Sequence, residues 1–188
     1  MAGRRGLPRP FRRLASTCLI FIMVAAPGVG PGRLAAASFA EGLAAFDAGD
    51  YRAAYDHWRS LAEAGSPPAQ VALAGLLESG APGVGRDHRA AAGWYRKAAF
   101  AGDAVAKMNL AQLYAEGRGV RQDSICALAW FTLAADQGRG WAATRRQSVA
   151  AAVGQEGQHA ASLLVTHIRT AGKAGAQEDP CSDVPAEE

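Results

Sequence analysis

The pattern of apolar residues in the middle of the chain predicts two consecutive helices. Leu110, Ala111 and Tyr114 occupy positions i, i+1 and i+4, which places them on one face of a first helix that ends at Gly117. A second helix begins at Asp123, whose carboxylate can accept the free amide hydrogens of the first turn. Its apolar residues follow at helical spacing: Ala127, Trp130, Phe131 and Ala134. Because small alanines let the two axes approach closely, we expect the helices to pack antiparallel.

The same pattern occurs one copy earlier in the chain. Residues 87–99 with Gly102 align with residues 123–135 with Gly138 at an offset of 36, and residues 73–80 align with 110–117 at an offset of 37. A divergent first copy covers residues 50–65. A period of about 36 residues is typical of stacked helix pairs. Asp87 and Asp123 are one period apart, so helix capping explains them better than a pair of catalytic carboxylates.

The combined motif, in which Gly-Val, Asp, Trp and Ala-Ala occur in register twice, resembles the Sel-one-like repeat family, relatives of the tetratricopeptide repeats. Residues 106–138 match it almost fully, 69–102 match with one inserted residue, and 39–65 match only in the second helix. The resemblance implies an all-α fold, a short solenoid of antiparallel helix pairs. It also implies an adaptor that binds a protein or peptide partner and has no catalytic activity.

Four segments are predicted. Residues 1–37 form a signal peptide, 38–140 the repeats, 141–172 C-terminal capping helices, and 173–188 a flexible acidic tail. The capping segment keeps helical apolar spacing after the repeat pattern stops, with a break between two helices expected at Gly154 and Gly157. A solenoid needs such a cap because its last repeat has no neighbour to cover its apolar face.

The N-terminus has the three parts of a secretory signal: an arginine-rich start, the apolar run 14–26, and small residues that predict cleavage after Ala37. Sec-type export to the periplasm or the medium is the favoured interpretation. A membrane-anchored scaffold with an uncleaved N-terminus is an alternative, and Arg12-Arg13 leaves a twin-arginine route open. Cys18 fits a lipid-attachment motif poorly.

The net charge of +3 depends on this segment, which contains six arginines and no acidic residue. Without it, 14 Lys and Arg face 17 Asp and Glu, a net charge of −3. The sequence therefore gives no reason to expect nucleic acid as a partner.

No catalytic residue, cofactor or metal site is predicted. The histidines, His57, His88, His159 and His167, lack ligand spacing, and no nucleophile elbow, phosphate loop or zinc motif is present. Trp58, Trp94 and Trp130 share one repeat position, which favours core packing, whereas Trp141 is unassigned. The alternative enzyme class is a cell-wall-directed or β-lactam-reactive hydrolase on the same repeat fold. It is implied by cysteine-rich members of the family, whose paired cysteines this chain lacks.

Two cysteines remain after the predicted cleavage, Cys126 in a repeat helix and Cys181 in the tail. Export implies an oxidising compartment, where a disulfide between them would pin the tail across the last repeat. Two separate thiols are the alternative.

The predicted partner site follows by analogy with tetratricopeptide arrays, in which the first helix of each copy lines the concave side. With Leu110, Ala111 and Tyr114 pointing into the packing, six residues face the groove: Val71, Gly75, Ser79, Met108, Gln112 and Glu116. This mixture suits an extended or helical peptide with polar or basic side chains. A solvated surface without a partner is the alternative.

Overall fold

A computed structural model describes residues 31–173 and 179–181 of the chain. Within these residues it contains seven helices and no strand, which confirms the predicted all-α fold. The helices are α1 (Pro31–Asp47), α2 (Tyr51–Glu63), α3 (Pro67–Ser79), α4 (His88–Phe100), α5 (Ala104–Glu116), α6 (Ser124–Ala135) and α7 (Gly140–Lys173).

The helices pack as consecutive pairs. α1 lies against α2, α3 against α4, and α5 against α6, giving three units, while the contacts of α2 with α3 and of α4 with α5 join one unit to the next. α7 packs on α6 at the end of the array. This arrangement buries one face of α2 to α6, whereas α1 at the end of the array leaves Leu43 and Phe46 exposed.

The helix boundaries follow from the capping residues. Asp87 Oδ1 accepts from the amide of Ala90 at 2.8 Å, and Asp123 Oδ1 accepts from the amides of Ile125 and Cys126 at 2.8 and 2.9 Å. These bonds confirm the capping interpretation of the two aspartates. Gly117 ends α5 in the left-handed conformation, with a φ of 68°.

The glycine of the Gly-Val motif marks where successive units touch. Gly119 has a φ of 69°, and a Cβ on it would lie 2.2 Å from the carbonyl carbon and oxygen of His88 at the start of α4. The corresponding Gly83 faces Arg52 at the start of α2, where a Cβ would lie 3.7 Å from the Cβ of Arg52. The loop inside each unit therefore rests on the second helix of the unit before it.

The core is built from large side chains set among alanines. Its largest fully buried side chains are Trp130, Tyr114, Phe131, Leu73, Leu76, Leu110 and Leu113. Trp58 is also buried, but Trp94 is only half-buried, with Lys97 Nζ 4.1 Å from its ring centre. Counted from the capping residues Asp50, Asp87 and Asp123, Trp94 and Trp130 share one position, whereas Trp58 lies one residue further on, where the later units have the buried Tyr95 and Phe131. The expectation that the three tryptophans share one repeat position is therefore wrong for Trp58, while core packing holds for Trp58 and Trp130 and Trp94 packs on the core half-buried. Trp130 packs against Phe100 of the preceding unit, whereas α2 ends in Glu63 and offers Trp94 no such aromatic neighbour.

α7 covers the last unit as two arms. Gly154 adopts non-helical angles, φ 67° and ψ −171°, and separates a first arm (140–153) from a second arm (155–173). This is one of the two glycines at which the sequence predicts a break, while Gly157 is helical and buried in the second arm. Among the helices that the structure describes, α7 included, none combines the length and the apolar character that crossing a membrane requires.

The structure differs from the expected flexible tail over residues 179–181. Asp179 is 2% exposed, and Cys181 forms a disulfide with Cys126 at a Cα–Cα distance of 6.0 Å. We call residues 179–181 the strap. The ion pair of Asp179 with Arg96 and the disulfide hold the strap in place. Neither contact repeats with the period of the helix pairs, so the repeat pattern does not predict it. Of the predicted signal segment, residues 1–30, which include Arg12, Arg13 and Cys18, lie outside the described residues, and 31–37 belong to α1.

Candidate partner-binding surface

The six residues predicted to face a partner lie on the outward side of two neighbouring first helices, α3 and α5. Leu110, Ala111 and Tyr114 are buried, as the pattern of α5 requires. Of the six, four are half-buried and two are exposed: Val71, Gly75, Met108 and Gln112, and then Ser79 and Glu116. We call these six residues the first-helix surface. Val71 and Met108 make one end of this surface apolar, Gly75 and Gln112 lie in its middle, and Ser79 and Glu116 make the other end polar.

A polar network ties one end of this surface to both helices. Arg118, just after α5, donates from Nη1 to Glu78 Oε1 at 2.7 Å and also binds the carboxylate of Glu116. Tyr95 donates its hydroxyl to Glu78 Oε2 at 2.9 Å. Burial raises the pKa of Tyr95, and the charge of Glu78 raises it further, so the phenol stays protonated as a donor.

This network changes what the surface offers to a partner. Glu116 belongs to an ion pair with Arg118, which is also bound to Glu78. A basic side chain of a partner would have to displace Arg118 to reach either carboxylate. The expected preference for basic peptides therefore loses its main support, and apolar contact with Val71 and Met108, at the other end of the surface, becomes the stronger attraction.

Trp141 extends the surface onto α7. Gln112 donates to Glu116 from Nε2 and accepts from Arg145 Nη2 at 3.0 Å, and the Arg145 guanidinium lies 5.5 Å from the ring centre of Trp141. The ring is 52% exposed and packs edge-on against Phe131, with 6.0 Å between ring centres. Tryptophan and arginine are the side chains most often found at the energetic centres of interfaces.

A second polar site holds the strap. Asp179 Oδ2 accepts from the Tyr114 hydroxyl at 2.7 Å and from Arg96 Nε at 2.9 Å, so α4 and α5 together bind a carboxylate. Burial raises the pKa of Tyr114, and the negative charge of Asp179 adds to that effect, which keeps the hydroxyl protonated. Arg96 and Tyr114 thus form a pair of donors that binds the carboxylate of a distant segment of the chain.

The histidines are dispersed. Within the described residues no group of three or more His, Cys, Asp or Glu is placed to hold a metal ion. His57 does lie near a carboxylate, with 3.8 Å between its Nδ1 and Oε2 of Glu41, but both side chains are exposed.

Comparison with known proteins identifies the repeat. The model of the Sel1 repeat matches residues 67–103 and 104–138, the second and third units. A Sel1 repeat protein from Oxalobacter formigenes is 32% identical with a TM-score of 0.55, over 61% of this chain and 88% of its own. The chain belongs to the Sel1-like repeat family.

A protective antigen present in uropathogenic Escherichia coli strains, which displays an SLR fold, is 28% identical with a TM-score of 0.68 over 76% of this chain. The present chain spans only 31% of that antigen's length. A comparison with curated proteins found no match. These likenesses confirm both the family resemblance and the helical-repeat solenoid. Sel1-like repeat proteins are in general scaffolds that bind protein partners.

For this Sel1-like repeat protein, the sequence offered the Cys126–Cys181 disulfide as one of two alternatives, and the structure has that bond. Sequence reasoning missed the binding of Asp179 at the strap site and the place of Trp141 on the surface. One signal was present for the strap site. Tyr114 stands where the second unit has Leu77, and a tyrosine at a buried leucine position needs a partner for its hydroxyl. The partner, Asp179, is 65 residues away in the sequence, beyond the reach of any helical period.

Proposed function

We propose that this Sel1-like repeat protein is an exported adaptor that binds a protein or peptide partner on the first-helix surface, continued by Trp141. The observation that carries the proposal is the half-exposed ring of Trp141, which Arg145 links to Gln112 in the middle of that surface. Catalysis forms no part of the proposed role.

The surface has the physical properties of a pre-organised interface. Met108 and Val71 provide apolar area, and the flexible thioether of methionine adapts to differently shaped partners. The polar side chains around them are already bonded to one another, so they lose little conformational freedom when a partner binds. Affinity then depends on burying Met108, Val71 and the Trp141 ring.

Export is supported by two independent features. The N-terminal segment has the order of charged, apolar and small residues of a signal peptide, and the Cys126–Cys181 disulfide suits an oxidising compartment. We expect the mature protein purified from the native host to begin at Ser38. Intact mass measurement tests this expectation, since a mass that retains residues 1–37 would favour the membrane-anchored alternative.

Partner binding is tested by site-specific photo-crosslinking in the native host. A photoreactive amino acid at position 108 should give a discrete adduct, because Met108 lies at the apolar end of the first-helix surface. The same amino acid at position 163 is the matched control, since Leu163 is an apolar residue on α7, 60% exposed, outside that surface. Mass spectrometry of the adduct identifies the partner.

The contribution of Trp141 is then measured with the identified partner. Trp141→Ala should weaken binding at least about tenfold, as expected for a central aromatic residue of an interface. Leu163→Ala should leave the affinity unchanged. Equal adducts from positions 108 and 163, or an unaltered affinity of the Trp141→Ala variant, would contradict this placement of the partner.

A further inference from the structure

An open groove lies between α6 and the two arms of α7. It has a volume of about 500 Å³, and its apolar lining includes Leu128 of α6, Ala150 of the first arm and Val165 of the second arm. The side chains of Arg146 and Arg169 reach the same groove. We call it the cap groove.

The first arm of α7 occupies the position of a further first helix in the array, but it lacks the large core residues that a first helix has. The cap groove is the space that those residues would fill. Ala106 of α5 and Ala142 of α7, 36 residues apart, are both fully buried. The same offset relates Leu110 to Arg146 and Tyr114 to Ala150. An alanine thus stands where the third unit has a tyrosine ring, and the space of that ring is left open.

The strap occupies the equivalent place one unit earlier. Its Asp179 binds Arg96 of α4 and Tyr114 of α5, and the offset of 36 maps these two residues onto Thr132 and Ala150. Thr132 and Ala150 both line the cap groove. The fold therefore already places one short segment with a buried carboxylate between a second helix and the first helix of the next unit.

The charges of the cap groove favour an anion. Arg169 binds Asp136, so these two charges compensate each other at one end. Arg146 is half-buried and has no hydrogen-bond or ion-pair partner among the described residues, which leaves one unbalanced positive charge in a largely apolar groove. A partly desolvated guanidinium binds a carboxylate more strongly than a fully solvated one does.

We infer that the cap groove is a second binding site, which takes an extended acidic segment of a partner protein with a carboxylate on Arg146 and an apolar neighbour against Leu128 and Val165. It is separate from the first-helix surface, so either site can exist without the other. The strap is the precedent for the location alone, since Thr132 and Ala150 replace the carboxylate-binding Arg96 and Tyr114 and the charge comes from Arg146.

The test uses a fluorescent peptide that copies residues 177–184 with Cys181→Ser, and full-length oxidised protein. Fluorescence anisotropy should show binding, whereas a neutral version of the peptide with Glu178→Gln, Asp179→Asn and Asp183→Asn should bind at least about tenfold more weakly. The peptide should not enter the strap site, because the disulfide holds the strap there at a high effective concentration.

Two variants locate the site. Arg146→Gln should weaken binding of the acidic peptide at least about tenfold, while Arg121→Gln, which removes an exposed arginine outside the groove, should not change it. Ala150→Tyr places in the cap groove the ring that Tyr114 has in the third unit. It should abolish binding without lowering the unfolding temperature.

Four results would overturn the inference. The first is equal binding of the acidic and neutral peptides, and the second is full affinity in the Arg146→Gln variant. The third is binding only after truncation beyond Cys181, which would assign the groove to residues 182–188 of the chain itself. Trp141→Ala should leave peptide binding unchanged, and a loss there would move the peptide to the first-helix surface and equally contradict the cap groove as its site.

Discussion

Trp130→Ala is expected to lower the free energy of unfolding by about 3–5 kcal/mol, the range measured when a buried large aromatic residue is truncated. Trp130 is 0% exposed, and its ring packs edge-on against Phe100 at 5.5 Å between centres, which joins α6 to α4. Its removal leaves a cavity between two units that cannot close without moving a helix. Because a small domain has only about 5–15 kcal/mol of stability, urea unfolding of this variant should begin close to native conditions.

The matched control is Trp94→Ala, at the same repeat position one unit earlier. Trp94 is half-buried, and the ammonium group of Lys97 over its ring is the main specific contact that the substitution removes. We expect a loss of about 1–2 kcal/mol. Equal losses in the two variants would show that Trp130 does not fill a space between stacked units.

The repeat made most of the fold predictable. A residue such as Leu110 or Asp123 is constrained by neighbours three or four positions away and by the same position in the next copy, and both relations are visible in one sequence. The buried face of α5, the capping of α4 and α6, and the change of direction at Gly154 all follow from such local rules.

The candidate sites were less predictable because they depend on contacts between distant segments. The six residues of the first-helix surface do face outward, but the pairing of Glu116 with Arg118 and the bond from Arg145 to Gln112 join separate elements. The cap groove is open because position 150 carries an alanine where the third unit has the ring of Tyr114. The residues that the repeat copies share do not reveal such a difference. Trp94 shows the same limit. It occupies the repeat position of Trp130 but is half-buried, whereas Trp130 packs against Phe100 and is fully buried.

Reduction of the Cys126–Cys181 disulfide is expected to lower the free energy of unfolding by about 4 kcal/mol on the chain-entropy model, because the bond closes a loop of 55 residues in the unfolded chain. The fold should survive, since the units pack on one another through α2 with α3 and α4 with α5, and the strap only adds its bonds to these contacts. Urea unfolding with and without a reductant measures the effect. Asp179 then has to stay on Arg96 and Tyr114 through its hydrogen bonds alone.

Cys126→Ala separates the cross-link from the reductant itself. The corresponding residue of the second unit is Ala90, 36 positions earlier, so an alanine is compatible with this place in the helix. The variant should unfold at the same urea concentration with and without reductant, close to the midpoint of the reduced wild type. If reductant leaves the wild-type midpoint unchanged as well, the strap is not covalently held in solution. The high effective concentration that keeps the strap site closed would then be lost, and a free acidic peptide would have to compete at Arg96 as well as at Arg146.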